Sequence, residues 1–70
     1  MKQGTLVYDR VTERYDIRFD LNHYYGGLHC GECFDVMVGG KWKPTRIEMS
    51  DEWYLVGIRT DDLQGLRVRV

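Results

Sequence analysis

The residues best suited to chemistry stand together near the middle of the chain. Cys30-Gly31-Glu32-Cys33 is a CxxC sequence, with His29 directly before it and His23 upstream. Zinc takes four tetrahedral ligands, and a CxxC turn commonly supplies two. The other pair would have to be His23 and His29. His29 adjoins Cys30, which makes simultaneous coordination awkward, and there is no second CxxC. The expectation is two thiols with no metal and no cofactor; Cys30, Cys33, His29 and His23 are the only candidate ligands. A thioredoxin-type redox pair is disfavoured because that chemistry sets the first thiol at a helix N-terminus, where its pKa falls. The residues after Cys33 alternate as a strand. His23, His29, Glu32 and Asp35 cluster in sequence, but no serine, threonine or lysine nucleophile is paired with them. The glycines form no GxxxxGK[ST] phosphate loop. These residues point to a protein that binds rather than catalyses.

Aromatic residues offer the second kind of chemistry. Tyr24-Tyr25-Gly26-Gly27 suits either an aromatic lip beside a groove or a plug at one end of a barrel. Met37, Trp42, Trp53 and Leu55, edged by Lys41, Lys43 and Arg46, suit a contact surface. Tryptophan and arginine in an exposed apolar patch mark protein interfaces. The same rings and cations suit single-stranded nucleic acid, which stacks bases and pairs phosphates. The bland reading of this patch is that an N-terminal hairpin covers it.

Strands must position these groups, since no stretch shows helical periodicity and period-two alternation recurs. Thr5 to Asp9 and Arg14 to Phe19 read as a hairpin through residues 10–13. Residues 20–32 do not alternate and read as an ordered loop with Leu28 tucked inward. A meander follows: Phe34 to Val38, Lys41 to Met49 and Trp53 to Arg59, with turns at Gly39-Gly40 and Ser50-Asp51. Residues 61–65 suit a short helical turn, and Leu66 to Val70 a last strand. If both meander turns have two residues, Val38 faces Lys41, Met37 faces Trp42, Ile47 faces Tyr54 and Glu48 faces Trp53. One face then carries Phe34, Val36, Val38, Thr45, Ile47, Met49, Tyr54, Val56 and Ile58 into the core. The other carries Asp35, Met37, Trp42, Pro44, Arg46, Glu48, Trp53 and Leu55. A bulge at Pro44, which cannot donate to a ladder, would move Trp42 across. Ile17, Val36, Ile47, Val56 and Val68 are expected to be buried.

Seventy residues make one domain, residues 1–70, with a single core. The composition, 43% hydrophobic and 30% charged, is that of a folded protein rather than a disordered one. A net charge of −1 lacks the basic field usual for nucleic-acid binding. Charge is unevenly placed: Asp51, Glu52, Asp61 and Asp62 stand against Arg59, whereas Arg67 and Arg69 stand without an acid. No segment approaches the roughly 20 apolar residues of a membrane helix. The start lacks the apolar run of a signal peptide. The expected setting is cytoplasmic.

Two resemblances add to this reading. Glu52-Trp53-Tyr54-Leu55-Val56-Gly57-Ile58 is similar to the central strand of SH3 domains, in which the first aromatic lies on the peptide-binding surface. Residues 62–68 are similar to the short helical turn and last strand of that fold. The family's closing proline and tyrosine are missing, so the resemblance implies the barrel shape alone: an all-β, SH3-like barrel of five or six strands. Over most of its length, through GTLVYD, RYDIRF, YYGGLHCGECF, GKWKPTRIE and EWYLVG, the chain resembles a small bacterial family catalogued as domain of unknown function 5348. That resemblance implies an accessory protein of Gram-positive bacteria or their mobile elements, and no activity.

The expectation is a non-enzymatic binding module. Its surface comprises Trp42, Trp53, Met37, Arg46, Lys41 and Lys43, with Tyr24 and Tyr25 beside it. Its partner is another protein or a second copy of itself; nucleic acid, single-stranded or duplex, is the alternative, and a membrane is not expected.

Overall fold

The computed structural model describes residues 1–70. Alternation lays down strands β1 (Gln3–Asp9) and β2 (Arg14–Asp20) as an antiparallel hairpin, with Leu6 opposite Ile17 and Tyr8 opposite Tyr15. The turn between them closes with Glu13 in the left-handed region, φ 58°. The two-residue β3 (His23–Tyr24) continues from β2 across a register shift. Strands β4 (Cys33–Val38) and β5 (Lys41–Met49) form the second hairpin. Its turn, Gly39-Gly40, needs positive φ at both residues, 57° and 77°, which glycine adopts without strain. The ladder runs through Pro44 without a bulge, so Trp42 stays opposite Met37. Strands β6 (Trp53–Leu55) and β7 (Arg67–Arg69) are short.

All seven strands join one antiparallel sheet in the order β3-β2-β1-β7-β4-β5-β6. The last strand is central and clamps the two hairpins together. The protein is all-β, with seven strands rather than five or six, and the ladder has two ends rather than closing as a barrel. The sheet is nevertheless curled. Residues 25–32 cross from the free edge of β2 to β5: Tyr25 N–H donates to Ile17 O, Leu28 N–H to Tyr15 O and Gly31 N–H to Ile47 O, each at 2.8 Å. Asp16 Oδ1 holds this crossing by accepting from the N–H groups of Gly26 and Gly27, at 3.0 and 2.9 Å.

Leu6, Ile17, Leu28, Phe34, Val36, Ile47, Leu55, Leu63 and Val68 fill the interior. Leu28 enters from the loop as expected. Ile17, Val36, Ile47 and Val68 are buried as alternation required; Val56 is only half-buried. The reason lies in the β5–β6 turn. It has three residues, Ser50 to Glu52, so Met49 pairs with Trp53, Glu48 with Tyr54 and Ile47 with Leu55. A one-residue slip exchanges the faces of a strand. Leu55 therefore enters the core at 2% exposure and Trp53 turns inward beside it, while Tyr54 turns out at 46%. Met49, expected inside, is exposed at the end of β5.

Two more expectations change. The strand from Trp53 ends at Leu55 because a turn follows, closed by Ile58 N–H to Leu55 O, with Gly57 at φ 76°. Residues 61–65 form no helix. The chain turns at Gln64-Gly65, and Leu66 N–H donates to Leu63 O.

Candidate functional site

The residues expected to share one surface lie in four places. Met37 and Trp42 do face each other on the outer side of the β4–β5 hairpin, both half-buried. Arg69 from β7 covers the indole of Trp42, its guanidinium carbon 4.6 Å from the ring centroid, and donates from Nε to Asp35 Oδ2 at 2.9 Å. Arg46 lies on the same side of β5, but its Nε is spent on Glu48 Oε2 at 2.8 Å. Lys41 and Lys43 alternate with Trp42 and belong to the opposite face of β5, where they are exposed. Tyr24 and Tyr25 are exposed at the β3 edge, and Tyr25 Oη donates to Glu32 Oε1 at 2.8 Å. That acceptor raises the Tyr25 pKa above the ordinary phenol value, first through the hydrogen bond and then through the carboxylate charge.

The candidate metal ligands are also apart. His23 stands edge-on to Phe19, 5.5 Å between centroids. Cys30 and Cys33 are free and exposed; the Cys33 thiol points to Gly31 O at 3.7 Å. His29 donates its backbone N–H to Glu32 Oε2. No three His, Cys, Asp or Glu side chains come close enough to hold an ion.

Trp53 leaves the outer face altogether. Turned inward by the three-residue turn, it packs against the core, and its Nε1–H donates to the backbone carbonyl of Glu13 at 3.1 Å. That bond joins the β5–β6 hairpin to the β1–β2 turn, 40 residues away in sequence. Between these two turns lies an open groove of about 880 Å3. Tyr8 and Tyr15 form one wall, packed edge to face at 5.2 Å. Trp53, Tyr54 and Met49 form the other. Residues 60–63 supply its end, with Leu63 reaching into the core.

Five acidic residues line this groove, Glu13, Asp51, Glu52, Asp61 and Asp62, with no lysine or arginine among the lining residues. The ion pairs of the molecule, Arg46–Glu48 and Arg69–Asp35, lie elsewhere. Tyr15 registers the environment. Its pKa is raised, chiefly by burial and then by the charges of Asp62, Tyr8 and Glu52. The groove is thus aromatic within and negative around.

Chemically, the groove can hold a chain segment or a flat or cationic side chain. Both histidines and both cysteines lie outside it. Trp53 was expected as a contact residue, but on the outer face beside Trp42, and the acid excess of residues 50–62 was noted without being assigned to a site; Tyr8, Glu13, Tyr15 and Tyr54 were not anticipated. The acid excess around Arg59 was the available signal; the turn length that assembles the groove was not.

A family model matches residues 4–70. The chain belongs to DUF5348, a domain of unknown function. This DUF5348 chain is also similar to a protein from Ruminococcus gnavus known by its crystal structure. The two are 66% identical, with a TM-score of 0.93, over 97% of this chain and 99% of that one. Comparison with curated proteins finds no match.

Proposed function

We propose that this DUF5348 domain is a non-catalytic protein-interaction module whose recognition site is the groove between the β1–β2 and β5–β6 turns. The observation that carries this reading is the groove itself. Three inward-facing aromatic side chains, Tyr8, Tyr15 and Trp53, with Tyr54 next to them in the lining, form a concave surface that is left open to solvent. Aromatic residues are the commonest anchors of protein interfaces, and a concave site allows a partner to be desolvated around them. The Trp53–Glu13 bond supports the same reading, because it fixes the groove width before a partner arrives and so lowers the ordering cost of binding. The outer Trp42 surface is the weaker candidate, since Arg69 already occupies the ring and Asp35 holds Arg69. The setting that fits is the bacterial cytoplasm, as an accessory protein of a bacterium or a mobile element; the similar protein from Ruminococcus gnavus supports the bacterial part.

The test is site-specific photocrosslinking in cells of origin. A photoreactive phenylalanine analogue replaces Tyr54 in one variant and Trp42 in another. Protein adducts from position 54, lost when unlabelled protein is added in excess, are the expected result. Adducts only from position 42, or adducts to nucleic acid instead of protein, would overturn it.

A further inference from the structure

We propose that the groove's occupant is an extended segment of another protein carrying at least two lysine or arginine side chains beside an apolar residue. This rests on the reading of the groove as the recognition site and adds the chemistry of what enters it. The argument is charge complementarity on an apolar groove. Of the chain's 11 acidic residues, five line this one depression, with no basic residue among the 13 lining it. Across the whole molecule ten basic residues nearly balance the acids. The imbalance is therefore local.

None of the five carboxylates has an ion-pair partner. Asp62 Oδ1 accepts from Gln64 N–H at 2.9 Å, which fixes the direction of that side chain. The acidic residues come from both walls and the end: Glu13 from the β1–β2 turn, Asp51 and Glu52 from the β5–β6 turn, Asp61 and Asp62 from the segment before Leu63. A single small cation would meet one wall. An extended segment with cations spaced along it meets all three while its apolar side chain lies on Tyr8, Tyr15 and Trp53. Faces of electron-rich rings attract arginine and lysine as well, so the aromatic floor and the acidic border favour the same partner. Nucleic acid, whose phosphates would face five carboxylates, is disfavoured here.

The experiment is titration of the isotopically labelled protein with four probes of equal length, followed by amide and indole NMR shifts. The probes are an arginine–leucine peptide, a serine–leucine peptide, a glutamate–leucine peptide and an oligothymidine. The expected result is that only the arginine peptide moves the Trp53 indole and the amides of residues 50–54 and 60–63. Its affinity should fall steeply between low and physiological salt, since exposed charges are screened beyond about 8 Å at 0.15 M. The double variant E52Q/D62N, which keeps side-chain size, should bind that peptide about fivefold more weakly, a loss of about 1 kcal/mol for the two exposed pairs together. Unchanged affinity in the double variant would overturn the cationic specificity. Equal or tighter binding of the serine peptide in the groove would do the same while leaving the groove as the recognition site. Shifts confined to the Trp42 surface, or no shifts with any probe, would overturn both readings.

Discussion

Replacing Leu55 and Tyr54 one at a time measures the register on which the groove depends. Leu55 is 2% exposed within a core of nine residues, whereas Tyr54 points outward at 46%. Truncating a buried leucine to alanine costs about 2–5 kcal/mol in lost burial and residual cavity. A value of roughly 3 kcal/mol suits a small domain whose neighbours can partly collapse. A chain of this size holds about 3–10 kcal/mol in total, so Leu55→Ala removes a large part of its stability. The melting temperature should fall by roughly 12–24 °C, at about 4–8 °C per kcal/mol. Tyr54→Ala should cost under about 1 kcal/mol, as an outward, half-exposed ring on an edge strand. Urea and thermal unfolding followed by far-ultraviolet circular dichroism compare the two directly. If Tyr54→Ala were the more damaging substitution, the β5–β6 turn would have two residues, Trp53 would lie on the outer face, and the groove as described would not exist.

Further predictions concern parts of the fold that frame the groove. A Cβ on Gly4 would lie 2.7 Å from both the Arg18 backbone oxygen and Ile17 Cγ2, so Gly4→Ala should destabilise the protein by about 1–3 kcal/mol in denaturant unfolding. Asp16→Ala releases the N–H groups of Ile17, Gly26 and Gly27 from its carboxylate. It should cost about 1–3 kcal/mol and accelerate hydrogen exchange at both glycine amides. Tyr15 and Tyr25 should titrate above the ordinary value of 10.0 when phenolate absorbance is followed against pH. The folded state holds these phenol protons more tightly than the unfolded chain does. Their contribution to stability is complete below pH 10 and is lost as pH rises through their folded values. Early titration of Tyr15 would refute the burial and negative surroundings assigned to it.

Most of the framework was legible because the alternation of Tyr15-Asp16-Ile17-Arg18-Phe19 and Phe34 to Val38 has one solution, and because Gly39-Gly40 specifies its own turn. The first meander register, Met37 against Trp42, followed directly. The second failed at Ser50-Asp51-Glu52. Polar residues such as these serve two-residue and three-residue turns alike, and nothing local distinguishes them. A single uncounted residue then reversed Trp53, Tyr54 and Leu55. The groove was invisible for a related reason. It joins Tyr8, Tyr15 and Trp53 from separate hairpins, and only the curl of the sheet brings them together. Asp16 was likewise read as one polar partner in an alternating strand, when its oxygen gathers a glycine loop ten and eleven residues ahead.

The central place of β7 has a consequence for how the protein is made. On the ribosome, the β1–β2 and β4–β5 hairpins can form as soon as they emerge, since their partners are neighbours in sequence. Residues 67–69, which β1 and β4 both require, are synthesised after every other strand. Until they emerge, the inner edges of both hairpins are unpaired, and such edges are templates for association with other chains. A chain cut just before Arg67 should therefore be sensitive to protease and prone to aggregation, and a peptide that supplies residues 66–70 should restore resistance.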